Sequence, residues 1–326
     1  MSRKLVFHLL ALLIALFAVS CAPAATPTLA PTIAPTPSPV PPTATPASLT
    51  VSDAAGRQLT LGAVPQRLVS LAPNITEILF ALDLGKQTVG VDAFSDYPAE
   101  AKPIAKISGP DGKFNFEQIV ASKPDLILAA GGIASPADIK KLEEFKLTVI
   151  VVGSATTTFD SVINDIRLVG AVTGRAEQAK KLTDSMKQKL DSIKSRVAGT
   201  TTKPRVYWEL DATDATKPYT VGPGNFINDI IALAGGVNVM ADAKSPFAQV
   251  SVEQIIKANP EVIILSDAAY GVTVDSVVKR AGWSTLSAVK NNQVFPIDDN
   301  LVSRPGPRLV EGLEAAARLI HPEAFK

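Results

Sequence analysis

Cysteine and histidine are almost absent from this sequence. Its 326 residues include one cysteine, Cys21, and two histidines, His8 and His321. A single cysteine cannot form an internal disulfide, and capture of free zinc or manganese normally needs several His or Cys ligands. A Ser-His-Asp or Cys-His catalytic site would have few residues to draw on, and no Gly-x-Ser-x-Gly elbow, phosphate loop or His-Glu-x-x-His helix is present. The sequence therefore indicates a non-enzymatic protein without a protein-bound metal, although a hydrolase using two carboxylates stays open.

An excess of charge of either sign is also missing. The chain has 32 basic and 31 acidic residues, so its formal net charge is +1. Nucleic-acid-binding domains usually carry a marked basic excess, and we expect no nucleic-acid partner here. The length and the 46% hydrophobic content suit two lobes of ordinary size.

The first 20 residues have the pattern of an export signal. Arg3 and Lys4 precede the apolar run Leu5–Val19, which only His8 interrupts and which is short for a bilayer span. The run ends in Ala18–Cys21, which resembles the lipobox of bacterial lipoproteins, although Ala18 is more often Leu there. The resemblance implies cleavage before Cys21 and acylation of that cysteine. An uncleaved anchor is the alternative, and both place the folded part outside the cytoplasm, attached to a membrane.

A tether follows the signal. Residues 22–48 contain nine prolines, six threonines and no charged residue. Such a composition cannot bury a core and favours an extended polyproline II conformation. At about 3.1 Å per residue the segment would reach roughly 80 Å. We therefore assign 1–20 to the signal peptide and 21–48 to the lipidated cysteine and tether.

From residue 49 onward the pattern predicts an α/β protein. Short buried strands alternate with helices over 49–172, and again over 201–326. Between them, residues 173–200 predict one long helix with an apolar stripe at steps of three and four. We expect two similar α/β lobes, each a small and mostly parallel sheet flanked by helices. The long helix would join them, with a cleft between the lobes.

An internal repeat supports two related lobes. Residues 117–128 and 253–264 share five identities at a constant offset of 136, and each begins with Glu-Gln-Ile. Asn115 and Ser251 precede them as candidate helix N-caps. Two facing lobes create a cleft, which is the usual place for a ligand. Chance similarity between two helix–proline–strand units is the alternative.

Five segments of the chain have a distinctive order and spacing: Leu68–Leu82, Ser95–Pro98, Lys123–Leu126, Val221–Gly224 and Arg304–Arg308. In that order and spacing they resemble the iron-complex and vitamin B12 periplasmic binding proteins. The resemblance implies a shallow cleft with little hinge motion. It also implies a monomer that delivers a small molecule to an ABC permease dimer and its ATPase.

Glu117 and Glu253 open the two copies of the repeat. In the vitamin B12-binding members of the family, one glutamate on each lobe docks onto arginines of the permease, and these two positions match. The resemblance thus implies that Glu117 and Glu253 dock onto the permease. The alternative is that both complement a helix dipole, a contribution of about 0.3–1 kcal/mol each.

Ligand contacts carry over less completely from the family. Phe94 and Phe247 stand where the vitamin B12 binder has a tyrosine and a tryptophan, but no aromatic residue lies near Gly109. Arg304 precedes a rigid Pro-Gly-Pro turn, and its guanidinium could hold a carboxylate or amide oxygen of a ligand or hydrogen-bond that turn. The expected ligand-binding residues are Phe94, Tyr219, Phe247, Asn300, Leu301, Val302, Ser303 and Arg304.

We expect the ligand to be a chelated metal, with a corrinoid such as cobalamin favoured and a ferric siderophore or haem as alternatives. Haem would need an axial ligand from the chain. A surface sensor or adhesin without transport is the alternative of another class. The usual haem ligands available are Tyr97, Tyr207, Tyr219, Tyr270 and His321.

Overall fold

A computed structural model of the chain describes residues 48–154 and 157–326. The predicted signal peptide, Cys21 and the tether up to residue 47 lie outside the described residues. Within the described ranges, no helix combines the length and apolarity needed to cross a bilayer. The first elements are strands β1 (Leu49–Ser52) and β2 (Gln58–Leu61), which form an antiparallel hairpin.

The first lobe is built on a four-stranded sheet in the order β4-β3-β5-β6, in which every neighbouring pair is parallel. All but one of the residues in its strands are buried, as expected for a parallel sheet covered by helices on both faces. Its strands are β3 (Leu68–Ser70), β4 (Thr88–Val91), β5 (Leu126–Ala130) and β6 (Val149–Val152). Its helices are α1 (Pro73–Ala81), α2 (Phe116–Ala121), α3 (Pro136–Glu144) and α4 (Phe159–Val172), with a 3-10 turn at Ala99–Ala101.

A single long helix, α5 (Ala176–Ala198), follows the first lobe. Its 23 residues span about 35 Å at 1.5 Å per residue. Buried positions recur along one face at the predicted spacing, including Ala179, Met186, Ile193 and Val197. The helix therefore has one apolar stripe available to both lobes.

The second lobe contains a six-stranded sheet of mixed direction. Strand β7 is parallel to β11 and β9, and β11 is parallel to β12, whereas β8 and β10 add antiparallel strands at one edge. The strands are β7 (Arg205–Asp211), β8 (Tyr219–Val221), β9 (Val237–Asn238), β10 (Phe247–Gln249), β11 (Val262–Leu265) and β12 (Val294–Pro296). The helices are α6 (Phe226–Leu233), α7 (Val252–Ala258), α8 (Val274–Val278), α9 (Ser287–Lys290), α10 (Asp299–Val302) and α11 (Leu309–Ile320), with 3-10 turns at Asp267–Tyr270, Trp283–Thr285 and Pro322–Phe325.

The sequence repeat corresponds to one structural unit used twice. In the first copy the side chain of Asn115 caps α2, and in the second the side chain of Ser251 caps α7. After each helix the chain passes through a left-handed residue, Lys123 with φ 49° and Asn259 with φ 43°. The helix then leads into a central strand, β5 or β11.

The same polar clamp closes both units. A carboxylate oxygen of Asp125 accepts the backbone N–H of Arg67 at 2.9 Å, and one of Glu261 accepts that of Arg205 at 2.9 Å. Each arginine side chain in turn donates to carbonyl oxygens at the end of the repeat helix, Lys123 in the first lobe and Ala258 in the second. These matched contacts show that the lobes are built alike and extend the repeat beyond the identical residues.

The two lobes share one hydrophobic core. A single cluster of buried side chains includes Leu68 and Ile75 of the first lobe, Met186 of α5, and Trp208 and Leu313 of the second. Relative rotation of the lobes would break this dense packing. The small hinge motion that the family resemblance implies stays a prediction, and the shared core is a physical reason to expect it.

Candidate functional site

A cleft of about 450 Å³ lies between the lobes. The first lobe contributes residues that follow β3 to β6, including Phe94, Gly131 and Ser154. The second contributes residues that follow β11 and β12, including Tyr270 and Asn300. The cleft is therefore at the carboxyl ends of the parallel strands, where open α/β sheets bind their ligands.

Glycines bring the backbone of the first lobe up to the cleft. A Cβ at Gly131 would lie 2.1 Å from the carbonyl oxygen of Gly153, so only glycine fits between the ends of β5 and β6. Gly153 itself has φ +73°, a left-handed conformation that favours glycine. This part of the wall is bare backbone rather than side chain.

Three aromatic side chains of the cleft lining have exposed surfaces. Phe94 is 53% exposed, Phe247 is 52% exposed and Tyr270 is 77% exposed. Phe94 is held in place because its backbone N–H donates to the buried carboxylate of Asp92 at 2.8 Å. Aromatic surface left open on the walls of a cleft is characteristic of a ligand site, since burying it stabilises a bound molecule.

Arg304 reaches the cleft from the second lobe but is already paired with the first. Its Nη1 donates to Oδ1 of Asp96 at 2.7 Å and to Oε1 of Glu77 at 3.3 Å. Arg308 donates from Nε to the other oxygen of Glu77 at 2.8 Å, and its guanidinium stacks 3.8 Å from the ring centroid of Tyr97. The charges of two arginines and two carboxylates thus cancel.

Glu77 is the centre of this inter-lobe ion-pair network. Only 2% of its side chain is exposed, and its partners Arg304 and Arg308 are 14% and 15% exposed. A buried carboxylate between two guanidinium groups is held by charge-assisted hydrogen bonds. The network fixes the direction of Arg304 and ties the lobes together.

Two further carboxylates line the cleft on opposite walls. Asp165 of α4 accepts the backbone N–H of Gly153 at 3.1 Å, and desolvation by burial raises its pKa to about 6. Asp299 of α10 accepts hydroxyl groups from Tyr270 at 3.2 Å and from Ser303. Within the described ranges, neither carboxylate has a cationic partner.

The raised pKa of Asp165 predicts a stability gain on substitution. The folded pKa of about 6 exceeds the unfolded value of 3.8, so the folded state holds more protons between these values and loses stability as pH rises through that window. Asp165→Asn should remove the cost of the buried charge and stabilise the fold by about 1–3 kcal/mol above pH 7. Thermal unfolding of both proteins from pH 4 to 8 measures this. The gap in Tm should be small at pH 4 and largest above pH 7, and a gap independent of pH contradicts the assignment.

The structure brings most of the predicted ligand residues together. Phe94, Phe247, Asn300, Ser303 and Arg304 all line the cleft. Among the residues that the structure describes, Tyr219, Leu301 and Val302 do not line the cleft.

The three remaining residues have other environments. Val302 is fully buried and belongs to the hydrophobic core, and Leu301 packs against that core. They turn inward because Gly312 of α11 lets the α10 backbone approach closely. Tyr219 is exposed at the start of β8, opposite Gln249. The contiguous segment 300–304 is therefore split by the helical geometry of α10.

Sequence reasoning missed Asp165, Asp299 and the backbone wall formed at Gly131 and Gly153. It considered Tyr270 only as a haem ligand. A signal for the wall was present, because Gly131 and Gly132 directly follow a buried parallel strand. Asp165 gave no signal, since it lies within a helix directly after another polar residue, Asn164, and reaches the cleft only through the packing of α4 on the sheet.

Glu117 and Glu253 occupy equivalent, exposed positions in the first turns of α2 and α7. Because Arg67 and Arg205 at the strand starts contact the other ends of these helices, both glutamates lie toward the carboxyl ends of the strands. Each lobe therefore presents one carboxylate on the side of its sheet where the strands end, which is also the side of the cleft.

A wider groove of about 950 Å³ lies beside the ion-pair network. It is lined almost entirely by the first lobe, including Phe80, Lys86 and Tyr97. Among the residues that the structure describes, the second lobe contributes Pro307 and Arg308 to it. We favour the smaller cleft as the ligand site, since both lobes form it and it holds the open aromatic surface. Within the described residues, no group of three or more His, Cys, Asp or Glu side chains is arranged to hold a metal ion.

Comparison with known proteins gives consistent matches. Residues 68–301 match the periplasmic binding protein family. An uncharacterised ABC transporter substrate-binding lipoprotein of Bacillus subtilis, YvrC, is 35% identical over 85% of this chain and 87% of its own length. The crystal structure of the periplasmic vitamin B12-binding protein of Vibrio cholerae superposes with a TM-score of 0.69 at 29% identity, covering 81% of this chain and 99% of that one. A periplasmic haem-binding protein from Roseiflexus gives a TM-score of 0.71 at 26% identity, covering 79% and 99%.

Proposed function

This chain belongs to the periplasmic binding protein family and is an extracytoplasmic solute-binding protein of an ABC importer, and we propose that it captures a corrinoid in the cleft between its lobes. The observation that carries the proposal is the open aromatic surface of Phe94 and Phe247 on opposite walls of that cleft. A corrin ring is a large, partly apolar plate, and aromatic side chains on either side can cover its faces.

The relatives support this ligand class. The Vibrio cholerae protein is a vitamin B12-binding protein, and its fold matches this chain over nearly its whole length. Corrinoids carry their own metal, so the site requires no protein ligand to it. The one histidine among the described residues, His321, is buried and does not line the cleft. This arrangement suits a ligand whose metal is already chelated.

Equilibrium binding tests the ligand directly. The full chain in detergent is titrated with cyanocobalamin, haemin and a panel of ferric siderophores, followed by calorimetry. The proposal expects one-to-one binding of cyanocobalamin. If the protein is folded by circular dichroism but binds only a ferric siderophore, the transport role stands and the corrinoid proposal is wrong.

Haem is a second candidate because of one residue. Tyr270 is 77% exposed in the cleft, and its phenol is a possible axial ligand to haem iron. Its neighbour Asp299 raises the pKa of Tyr270 above the usual value, which opposes the phenolate that iron prefers. The environment of Tyr270 therefore favours the corrinoid.

Glu117 and Glu253 are proposed to dock the loaded protein onto the permease. This proposal is supported by the matched positions of the two exposed carboxylates, one in each lobe, on the side where the strands end and the cleft lies. Complementary charge fixes the orientation of one protein on another. Two equivalent contacts suit a permease built from two subunits.

Reversing both charges should abolish delivery without affecting capture. In the Glu117→Lys/Glu253→Lys protein we expect corrinoid uptake by cells to fall by about a hundred-fold, since like charges then face each other across two contacts. Ligand affinity of the purified protein should stay within about two-fold. Glu144→Lys, an exposed position on α3, is the matched control. Normal uptake by the double variant contradicts the docking role.

We also propose that Cys21 is acylated and that residues 22–48 hold the binding domain away from the membrane. The support is the signal pattern of the sequence together with the lipoprotein relative in Bacillus subtilis. Mass spectrometry of the purified protein measures the acyl chains on Cys21. Cys21→Ser should release the protein from membranes while leaving its ligand affinity unchanged.

A further inference from the structure

The charge balance of the cleft has a consequence for the kind of ligand it accepts. Arg304 is the only cationic residue among the described residues that line it. Its charge is already compensated by Asp96 and Glu77, the latter shared with Arg308. Asp165 and Asp299 therefore leave the cleft with an acidic character.

The two carboxylates face the same space from opposite lobes. Asp165 is partly buried and accepts a single hydrogen bond among the described residues, from Gly153. Asp299 accepts two hydroxyl groups and no cation. An ionised carboxylate has room for about four hydrogen bonds, so both retain acceptor capacity toward a molecule between them.

We propose that Asp165 and Asp299 are specificity residues that accept N–H groups of the ligand and reject ligands whose periphery carries carboxylates. This inference rests on the proposed function. Among chelated-metal compounds, Asp165 and Asp299 favour those with neutral amide arms, such as corrinoids, over dicarboxylate macrocycles such as haem. A ligand carboxylate placed beside Asp165 or Asp299 would bring two like charges together in a partly desolvated cleft.

The environment of Asp165 agrees with this role. Desolvation by burial raises its pKa to about 6, so at neutral pH the protein holds an ionised carboxylate at a cost in stability. Amide donors from a ligand would stabilise that ionised form. Local destabilisation that a ligand relieves is a common property of binding sites.

A matched pair of ligands tests the inference. Cyanocobalamin is compared with its derivatives in which one propionamide arm is hydrolysed to a carboxylate, so size and shape stay constant and one charge changes. Affinities are measured by calorimetry at a pH above 7 on the full chain in detergent. The proteins are the wild type, Asp165→Asn, Asp299→Asn and the double variant. Asp191→Asn, an exposed position on α5, is the control.

The wild type should bind cyanocobalamin at least about ten-fold more tightly than the most disfavoured monocarboxylate, a difference of about 1.4 kcal/mol. In the double variant the preference should fall to about three-fold or less, mainly because the monocarboxylate binds better. The control should keep the wild-type preference.

Three results would overturn the inference. An unchanged preference in the double variant removes Asp165 and Asp299 from ligand selection while leaving corrinoid capture intact. Tight binding of haemin by the wild type contradicts rejection of carboxylates. A folded protein that binds neither cyanocobalamin nor haemin removes the proposed ligand class and the inference with it.

Discussion

Glu77→Ala should destabilise the protein by about 3–5 kcal/mol, since removing one member of a buried ion pair leaves uncompensated charge. Glu77 is 2% exposed and pairs with both Arg304 and Arg308. Its loss leaves Asp96, among the described residues, as the one carboxylate paired with these two guanidinium groups in a partly buried space. For a protein of this size we expect Tm to fall by roughly 6–15 °C in differential scanning calorimetry.

A surface ion pair provides the control. Asp184 and Lys180 lie on α5 at 2.6 Å, with 42% and 66% of their side chains exposed. Asp184→Asn should change stability by less than about 0.5 kcal/mol, because exposed pairs contribute little. Equal effects of Glu77→Ala and Asp184→Asn would contradict the role of Glu77 as the charge centre between the lobes.

Replacing both cleft phenylalanines should remove most of the ligand affinity. Phe94→Ala and Phe247→Ala each take away an aromatic surface that the corrinoid would cover, which we expect to cost about ten-fold in affinity, and about a hundred-fold together. Because both rings are about half exposed in the free protein, the double variant should remain folded. Calorimetric titration with cyanocobalamin measures the effect.

Phe145 provides the comparison for this experiment. It is 47% exposed at the end of α3 and is not part of the cleft lining. Phe145→Ala should bind like the wild type. If the double cleft variant binds cyanocobalamin as tightly as the Phe145 variant does, the aromatic walls do not contact the ligand.

The architecture was predictable because strong local patterns agree with it. The repeat at residues 117–128 and 253–264 combines a cap, a helix, a proline and a buried strand, and each part has its own sequence signal. The stripe of α5 has helical spacing over 23 residues. The antiparallel edge of the second sheet was not predicted, since β8 and β10 are three residues each and carry little periodicity.

The site was only partly predictable, because side chains meet there from distant parts of the chain. Phe94, Phe247 and Arg304 were found from the family resemblance and do line the cleft. The pairing of Arg304 with Asp96 and Glu77 spans more than 200 residues and leaves no local pattern. Val302 was included because it belongs to the segment that precedes Arg304, whereas one turn of helix directs it into the core.

The central claim is that a corrinoid binds between two lobes that share one core and hardly move. A crystal structure of the protein with cyanocobalamin bound tests it most directly. We expect the corrin ring between Phe94 and Phe247, amide arms within hydrogen-bonding distance of Asp165 and Asp299, and the Glu77–Arg308 pair intact. A corrinoid in the groove beside Tyr97 and Lys86, or lobes rotated apart with Glu77 released, would contradict the account.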